Sequence, residues 1–374
     1  MRIGVPREIK TLEFRVGATP GLVQRLVREG HEVFVETGAA EGIGIADAAY
    51  ADLGAKILQG ADAVFDAAEM IVKVKEPQAV EIARLKPHHI LFTYLHLAAD
   101  REQTLGLMQS GCTAIAYETV TDRFGRLPLL APMSQVAGRM AVDAGAYHLL
   151  KPHGGRGVLL GGAPGVPAAR VIILGGGVSG KHAAEIAIGH RADVTLFDIS
   201  AQRLEALDDQ FGGRLKTAFS THDAVAELLP TADLVIGCVL IPGAAAPKLV
   251  THADVRRMRP GSVLVDVSID QGGCFETSHP TTHDDPTFVV DGVVHYCVAN
   301  MPGAAPRTSS EALVHAALPF GLHLADKGLD ALAEDRHLAK GLNVLKGQIT
   351  HPAVAEAVGK PFADPYGAWA TPPS

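Results

Sequence analysis

Residues 169–187 read ARVIILGGGVSGKHAAEIA, and the organisation of the rest of the chain follows from them. An apolar run is followed at once by Gly175, Gly177 and Gly180 in the spacing GxGxxG, and then by a segment of helical character. The first glycine permits a tight turn, the second lets a pyrophosphate approach the backbone, and the third lets helix and strand pack closely. The phosphate would face the helix N-terminus, whose free N–H groups favour an anion. The stretch therefore predicts a strand, a turn and a helix that bind a dinucleotide.

The strand expected next along the chain ends at Asp198, 18 residues after Gly180. An acidic side chain at this place accepts hydrogen bonds from the adenosine ribose hydroxyls, whereas a 2′-phosphate would meet like charge. We therefore expect NAD rather than NADP. Arg203 is close enough in sequence to favour NADP instead.

The same turn also matches the start of a P-loop, because residues 175–181 read GxxxxGK. His182 stands where a Ser or Thr hydroxyl would hold Mg²⁺. A nucleotide triphosphatase would thus lack the group that positions its metal, which favours the dinucleotide interpretation.

Length and charge exclude several classes of protein. The chain has 374 residues, with 33 Lys and Arg against 41 Asp and Glu and a formal net charge of −8. This length predicts about two domains, and the acidic balance argues against nucleic acid as a partner. No apolar segment follows the first charges and no run reaches the ~18 apolar residues of a membrane span, so we expect a cytoplasmic protein without a membrane partner. The dispersed cysteines, at positions 112, 238, 274 and 297, predict reduced and mostly buried thiols.

Short β-rich runs alternate with helix-like segments, which predicts an α/β protein with parallel sheets flanked by helices. In the first third, strands are expected at residues 2–5, 32–35, 70–74, 90–94 and 113–117. A second series, at 171–174, 194–198, 215–219, 234–239, 263–267 and 294–298, suits a Rossmann domain. We therefore expect two doubly wound domains, a Rossmann NAD-binding domain and a discontinuous substrate domain, with a cleft between them.

The domain limits follow from the end of this alternation. After residue 306 a long helix is expected, opened by Thr308 and Glu311 in the spacing of a capping box. We expect no further strand in the tail, residues 319–374, and predict helices that return to cover the first domain. The substrate domain then comprises residues 1–128 and 307–374, and the NAD-binding domain residues 129–306.

Hydride transfer requires groups that hold a substrate and move a proton, and open α/β sheets place such groups beyond the carboxyl ends of their strands. Arg15, Lys75 and His96 follow strands expected in the first series, and Asp270 and Asn300 follow strands of the second. Arg and Lys together suit a carboxylate beside a carbonyl. His96 is the natural acid or base near neutral pH, and Asp270 can orient water or ammonia or stabilise a cation.

Each of these residues also has a purely structural interpretation. Asp270 can cap the turn into the glycines that follow it, Lys75 can be a solvated loop charge, and Arg15 can pair with Glu13 on the surface. Arg15, Lys75 and His96 are expected at one sheet edge and Asp270 at the edge of the second sheet, and two such edges facing each other would form a cleft.

His279 and His283 can be read as metal ligands. Proline interrupts their stretch, SHPTTHDDP, and no further His or Cys completes a ligand set. We therefore expect a solvated loop and no metal.

Nine segments of the chain resemble the NAD-dependent alanine dehydrogenases, which are related to the NAD-binding subunit of proton-pumping transhydrogenases. They lie in unchanged order over nearly the whole chain, at residues 1–16, 72–77, 92–100, 116–120, 127–141, 154–162, 196–199, 263–288 and 296–303. Segments of this length are far more specific than GxGxxG alone.

This resemblance implies reversible oxidative deamination of L-alanine to pyruvate and ammonium, with NAD, by a homohexamer. It implies that Arg15 and Lys75 bind the substrate carboxylate and carbonyl, that His96 is the acid and base, and that Asp270 assists the water or ammonia step. The other residues implied around the substrate are Tyr94, Met133, Gln271 and Asn300. Those implied around the cofactor, besides Gly175, Gly177 and Gly180, are Ser134, Val178, Asp198, Arg203, Ser220, Val239, Leu240, Val267, Ile269, Asp270, Asn300 and Met301.

Two other functions stay open. A nucleotide-binding transhydrogenase subunit would bind NAD(H), but it needs a membrane partner and has no use for Lys75 together with His96. The chain ends at PPS without an apolar span, which we expect of an alanine dehydrogenase rather than of such a subunit. A related amino-acid dehydrogenase or cyclodeaminase would require a wider pocket.

Overall fold

The computed structural model describes residues 1–239 and 246–365. The chain divides into two compact units, one formed by Met1–Met133 with Gly303–Ser374 and the other by Ser134–Pro302. Each unit has one predominantly parallel sheet with helices around it. The expected α/β class with two doubly wound sheets is confirmed. The predicted functional limits, 1–128 with 307–374 and 129–306, stay a prediction.

The secondary structure alternates along most of the chain. The strands are β1 (Arg2–Val5), β2 (Glu32–Glu36), β3 (Lys56–Leu58), β4 (Met70–Val72), β5 (Ile90–Thr93), β6 (Thr113–Ala116), β7 (Arg170–Leu174), β8 (Asp193–Asp198), β9 (Lys216–Phe219), β10 (Leu234–Gly237), β11 (Val263–Asp266), β12 (Thr287–Val290), β13 (Val293–Tyr296), β14 (Leu342–Leu345) and β15 (Gln348–Ile349). The helices are α1 (Pro20–Arg28), α2 (Ala48–Ala51), α3 (Ala61–Ala67), α4 (Ala79–Ile82), α5 (Arg101–Ser110), α6 (Ala131–His148), α7 (Val178–Gly189), α8 (Ala201–Phe211), α9 (His222–Leu228), α10 (His252–Val255), α11 (Pro306–Lys327), α12 (Asp330–Glu334), α13 (Arg336–Ala339) and α14 (Pro352–Val358).

In the first unit the strand order is β15-β14-β6-β5-β4-β1-β2-β3. Strands β1 to β6 are parallel, and β1 lies between β2 and β4. The chain therefore changes direction across the sheet between β1 and β4, the place where open α/β sheets bind ligands. Apolar side chains of both faces are buried, as in Ile90 and Leu91 of β5, because helices cover both sides.

In the second unit the order is β12-β13-β11-β10-β7-β8-β9. Its direction changes between β7 and β10, and β12 is antiparallel at one edge. Successive residues of β7 enter opposite cores, Ile173 on one face and Leu174 on the other. Six of these strands reproduce the order 3-2-1-4-5-6 of a Rossmann sheet.

The expected all-helical tail is wrong, because β14 and β15 lie in it. β14 pairs antiparallel with β6, and β15 returns along β14. Between them Lys346 and Gly347 have φ of +48° and +79°, as a two-residue hairpin turn requires. Asp291 and Gly292, with φ of +49° and +82°, join β12 to β13 in the same way. The Lys-Gly and Asp-Gly pairs between apolar runs were the sequence signals for these hairpins.

The expected capping box is also wrong. The long helix α11 begins at Pro306, with Ala305 as its N-cap, so Thr308 lies inside the first turn. Proline at this position is favoured because its missing N–H has no helical acceptor to bond. Glu311 instead lies near Arg307, with 3.6 Å between Oε1 and Nε.

Within residues 1–239 and 246–365, no helix is both long and apolar enough to cross a membrane. All four cysteines are buried and free, as expected.

Candidate active site

In the first unit, the candidate substrate residues follow three adjacent strands. Arg15 lies in the loop after β1, Lys75 follows β4, and Tyr94 and His96 follow β5. All are therefore at the carboxyl edge, and the loops after β1 and β4 flank the point where the chain changes direction.

Arg15 forms its ion pair with Glu13 inside the protein and not on the surface. Its Nε donates to Glu13 Oε1 at 2.6 Å, and both side chains are almost fully buried. Burial opposes the charge, but the hydrogen bonds and charge of Glu13 outweigh it and raise the pKa of Arg15. Arg15 Nη1 lies 3.0 Å from the sulfur of Met133, and the N–H of Val16 donates to Ser310 of α11. The loop thus holds a permanent cation at a fixed place.

Lys75 is not a solvated loop charge, because its side chain is 12% exposed. Its Nζ lies 3.5 Å from Glu76 Oε2, and Lys10 bonds the other oxygen of Glu76. Burial raises the pKa of Glu76, but these two ammonium groups outweigh it and lower the pKa overall. Glu76 Oε2 has no hydrogen bond within the described residues. Lys75 therefore lies in a long ion pair with Glu76, without a hydrogen bond to that carboxylate oxygen.

A buried charge cluster lies beneath Lys75. Lys73 Nζ bonds Glu8 at 2.9 Å and Glu81 at 2.7 Å, and the side chain of Lys73 is fully buried. The two carboxylates outweigh burial and raise the pKa of Lys73, which stays an ammonium. Glu8 also accepts the N–H of Val74 at 2.7 Å and of Lys75 at 3.4 Å. This cluster fixes the backbone that carries Lys75.

His96 is exposed and has a left-handed backbone, with φ of +52°. Its N–H donates to Glu118 Oε1 at 2.6 Å, and the N–H of Leu95 donates to the same carboxylate. The imidazole stacks on Tyr94, with ring centroids 5.9 Å apart and planes 8° apart. Burial raises the pKa of Tyr94, whose hydroxyl donates to the carbonyl of Leu129. A strained backbone and a neutral phenol therefore set the direction of the imidazole.

In the second unit, the glycine-rich turn fits a dinucleotide phosphate. Gly175 has φ of +96°, and a Cβ at Gly180 would lie 1.8 Å from the carbonyl oxygen of Gly175. A Cβ at Gly177 would meet nothing within 4 Å, so space is open where a ligand would approach the backbone. Gly177 is the N-cap of α7 and supplies no side-chain acceptor to the N–H groups of the first turn, which include that of the exposed Val178. These groups suit an anion.

Asp198 ends β8 and faces the same turn. Its carboxylate accepts the N–H of Gly176 at 2.7 Å and of Ser200 at 2.8 Å, and its carbonyl accepts the N–H of Ser220. Each carboxylate oxygen keeps a lone pair for another donor, as ribose hydroxyls require. Arg203 donates to the carbonyls of Gly176 and Gly177 and so braces the turn.

The other candidate residues of this unit follow the neighbouring strands. Val239, after β10, accepts the hydroxyl of Ser268 at 2.7 Å, and the N–H of Val267, after β11, donates to Gly237. A short 3₁₀-helix, Ile269–Gln271, carries Asp270 in an exposed position. Gln271 Oε1 is buried without a hydrogen bond in the described part of the chain. Asn300 has a left-handed backbone, with φ of +59°, and Met301 is buried. Ser134 lies in α6, and Leu240 falls outside the described residues.

His279 and His283 do not form a cluster that could hold a metal. His279 stacks on Phe288, with centroids 3.6 Å apart, and His283 Nε2 lies 3.4 Å from the carbonyl of Asn300. The described residues contain no group of three His, Cys, Asp or Glu side chains that could hold a metal ion.

Sequence reasoning missed the carboxylates that support the candidate residues. They are Glu8, Glu118 and Asp266, each at or near a strand end, and Glu13, which was expected on the surface and is buried. Their signal was a lone acidic residue in an otherwise apolar or small-residue segment, as in AYETV and VLVDVS. Such residues are buried only when hydrogen-bonded.

Two family profiles cover most of the chain. The N-terminal domain of the alanine dehydrogenase/PNT family matches residues 4–137, and its C-terminal domain matches residues 141–352. The chain belongs to this family. The resemblance seen in the sequence is confirmed.

Curated members of the family are similar over nearly their whole length. An alanine dehydrogenase of Halomonas elongata is 58% identical over 97% of this chain and 98% of its own. An alanine dehydrogenase of Bacillus subtilis is 53% identical over 96% of this chain and 95% of its own.

Solved structures of the family show the same fold. An L-alanine dehydrogenase structure, 52% identical, matches with a TM-score of 0.93 over 96% of this chain and 99% of that one. A transhydrogenase from Sinorhizobium meliloti, 27% identical, matches with a TM-score of 0.79 over 94% of this chain and 100% of that one.

Proposed function

We propose that this member of the alanine dehydrogenase/PNT family is an NAD-dependent L-alanine dehydrogenase, which interconverts L-alanine with pyruvate and ammonium. The observation that carries the proposal is the row Arg15, Lys75 and His96 after β1, β4 and β5. A buried guanidinium and a nearly buried ammonium suit a small 2-oxo or 2-amino acid, and an exposed imidazole suits proton transfer.

We assign substrate binding to the first unit and NAD binding to the second. The open space at Gly177, the uncapped N-terminus of α7 and the acceptor Asp198 fit a pyrophosphate and a ribose. Asp198 favours NAD over NADP, and Arg203 is already engaged with the turn. The residues proposed around the cofactor are those named from the sequence.

Each residue has one role in the proposed deamination. NAD, when bound, would supply the hydride acceptor that oxidises the α-carbon of L-alanine to an iminium. Arg15 and Lys75 bind the carboxylate and the carbonyl oxygen of the substrate. His96 takes a proton from the water that adds to the iminium and returns it to the nitrogen of the resulting carbinolamine. The imidazole, neutral again, then accepts the hydroxyl proton as the C–N bond breaks and pyruvate and ammonia form. Asp270 assists by stabilising the cation or orienting the water.

The alternative function is that of a transhydrogenase subunit. It is supported by the family, which includes transhydrogenases, and by the likeness to the Sinorhizobium meliloti structure. Such a subunit would bind NAD(H) without acting on an amino acid.

We also propose that the protein is a homohexamer and that it is located in the cytoplasm. Light scattering tests the first proposal, and cell fractionation tests the second.

The decisive assay is NADH formation, followed by absorbance, with L-alanine, D-alanine, serine and lysine, and again with NADP. We expect rapid turnover of L-alanine with NAD and much slower reaction in every other combination. NADH binding without turnover of any amino acid would favour the transhydrogenase subunit. Faster turnover of serine or lysine would indicate another amino-acid dehydrogenase.

A further inference from the structure

Asp266, the last residue of β11, is fully buried and has no part in the proposed chemistry. Its Oδ1 accepts the N–H of Ser268 at 3.1 Å and lies 3.7 Å from the thiol of Cys274. Its Oδ2 accepts the N–H of Cys274 at 2.9 Å, the N–H of Phe275 at 3.4 Å and the hydroxyl of Ser278 at 2.6 Å. One carboxylate therefore bonds four backbone or hydroxyl donors of a single loop.

These donors lie at both ends of the loop, residues 267–278. Between them, the N–H groups of Gln271 and Gly273 both return to the carbonyl of Ser268. A Cβ at Gly273 would lie 2.6 Å from Asp266 Oδ2, and φ is +74° there. The loop is thus wrapped closely around the carboxylate, and only glycine fits at its closing point.

Asp270 is at the exposed tip of this loop. Within the residues that the structure describes, the Asp270 carboxylate makes no hydrogen bond or ion pair. Its own contacts therefore do not fix its position. What fixes it is the loop backbone. The hydrogen bonds of Asp266 close that backbone from inside, and Lys248 Nζ bonds its carbonyls at Gly272, Gly273 and Phe275.

We propose that Asp266 is a positioning residue, which acts through the loop 267–278 to hold Asp270 where the reaction needs it. The inference rests on the proposed function, because it takes Asp270 as a participant. Binding a carboxylate to donors at both ends of a short loop leaves the loop one conformation, and misplacement of a reacting group by about 1 Å can cost roughly 100-fold in rate.

Asp266→Asn tests the proposal with a side chain of the same shape. In this variant an amide NH₂ group replaces one carboxylate oxygen and cannot accept hydrogen bonds from the N–H or O–H donors that face it. The hydrogen bonds at one end of the loop are therefore lost. We expect kcat for L-alanine to fall roughly 10- to 100-fold, while KM for L-alanine changes little because Arg15 and Lys75 are in the first unit. A wild-type kcat would overturn the proposal.

Asp233→Asn is the matched control. Asp233 precedes β10 at the opposite, amino end of the same sheet, and it bonds the N–H of Arg170 at 2.8 Å and Arg156 at 2.6 Å. We expect its loss to lower Tm and leave kcat unchanged. An equal loss of kcat in both variants would mean that Asp266 only stabilises the sheet, and would overturn the proposal.

A double-mutant cycle separates positioning from stability. If Asp266 acts through Asp270, Asp266→Asn should cost less than about twofold in kcat in an Asp270→Asn background, since the effects of residues coupled through one backbone segment are not additive. Independent, multiplying losses would contradict the proposal. Should Asp266→Asn fail to fold, Ser278→Ala removes one of the hydrogen bonds of Asp266. We then expect a smaller loss of kcat, seen when Asp270 is present and not in the Asp270→Asn background.

Hydrogen exchange tests the loop without turnover. Amides of residues 268–278 should exchange faster in Asp266→Asn, and unchanged exchange would overturn the proposal. If the wild type forms no NADH from L-alanine, the proposed function is wrong. Hydrogen exchange then still shows whether Asp266 fixes the conformation of the loop 267–278.

Discussion

Arg15 shows what a buried charge requires. A guanidinium removed from water must be paired, and breaking a buried pair by removing one partner costs about 3–5 kcal/mol, because it leaves the other charge uncompensated. Glu13, two residues away, occupies Nε and Nη2 and leaves Nη1 against Met133. The same pair keeps the cation in place before any substrate carboxylate arrives.

Glu13→Gln should therefore weaken both stability and substrate binding. We expect the free energy of unfolding to fall by about 3 kcal/mol. We expect KM for L-alanine to rise about tenfold, as for the loss of one charge-assisted hydrogen bond of ~1.5 kcal/mol. Denaturant titration and steady-state kinetics measure the two effects.

Glu29→Gln is the control for this prediction. It breaks the exposed pair of Arg25 and Glu29 on α1, a geometry worth less than about 0.5 kcal/mol. Similar behaviour of the two variants would show that burial does not matter at Arg15.

His96→Ala should abolish turnover and keep the affinity for NADH. Loss of a general acid and base costs at least about 100-fold in kcat. His315→Ala, on the exposed face of α11, should leave kcat unchanged. Turnover near that of the wild type in His96→Ala would remove His96 from the mechanism.

At the scale of elements, the turn between β7 and α7 separates two uses of glycine. Gly180 is needed for packing, because the carbonyl of Gly175 occupies the space of its Cβ. Gly177 has open space, so any need for glycine there comes from a ligand.

Alanine substitutions in α7 and its N-cap distinguish these uses. Gly180→Ala should lower both Tm and NADH affinity, whereas Gly177→Ala should keep Tm and lower NADH affinity only. Gly189→Ala, exposed at the end of α7 with nothing within 4 Å of the new Cβ, should change neither adversely. Thermal unfolding and NADH fluorescence measure these effects, and wild-type NADH affinity in Gly177→Ala would contradict the phosphate assignment.

Most parallel strands were predictable because they are short apolar runs bounded by helices, and their ends fell within two residues of those expected. The parallel strand β3, which has only three residues at the edge of the first sheet, was not predicted. The antiparallel strands β12, β14 and β15 were not predicted either, because each pairs within a hairpin at one side of its sheet and not within the alternation of strands and helices. The Asp291–Gly292 and Lys346–Gly347 turns were the local signals that remained.

For the whole molecule, strand order explains how much of the site could be predicted. Arg15, Lys75 and His96 could be placed at one edge, because the carboxyl ends of parallel strands share an edge. The carboxylates that hold the loops of the site could not be placed in this way. Ser310 of α11 bonds the N–H of Val16, next to Arg15, and the loop after β11 encloses Asp266, and sequence spacing does not encode such contacts.

Buried histidines give the molecule a characteristic response to acid. Those with a pKa below the ordinary 6.5 are His89, His148, His182, His295 and His351, and burial is the largest cause in each. The pKa of His295 falls to about 4. Carboxylates with a lowered pKa, such as Asp254 and Asp291, make stability depend on pH only below their ordinary pKa near 4.

The sign follows from proton binding. Between pH 6.5 and 4, the unfolded chain takes up protons at these imidazoles and the folded chain resists, so their stabilisation is complete above pH 6.5 and is lost as pH falls towards 4. Burial raises the pKa of Glu8 and Asp266, which act in the opposite sense and reduce the slope.

We therefore expect Tm to fall as pH is lowered from 7 to 4.5, and His295 to account for a measurable share of the slope. A pKa of about 4 at His295 corresponds to about 3 kcal/mol at the most, once the folded form is also protonated. His295→Gln keeps a partner for Thr277 and cannot titrate, so its Tm should depend less on pH than that of the wild type, whatever its value at pH 7. His315→Gln, at an exposed position, should keep the wild-type slope. An unchanged slope in His295→Gln would mean that the folded protein accommodates the imidazolium, because Val293 and Thr277 then satisfy both of its N–H groups.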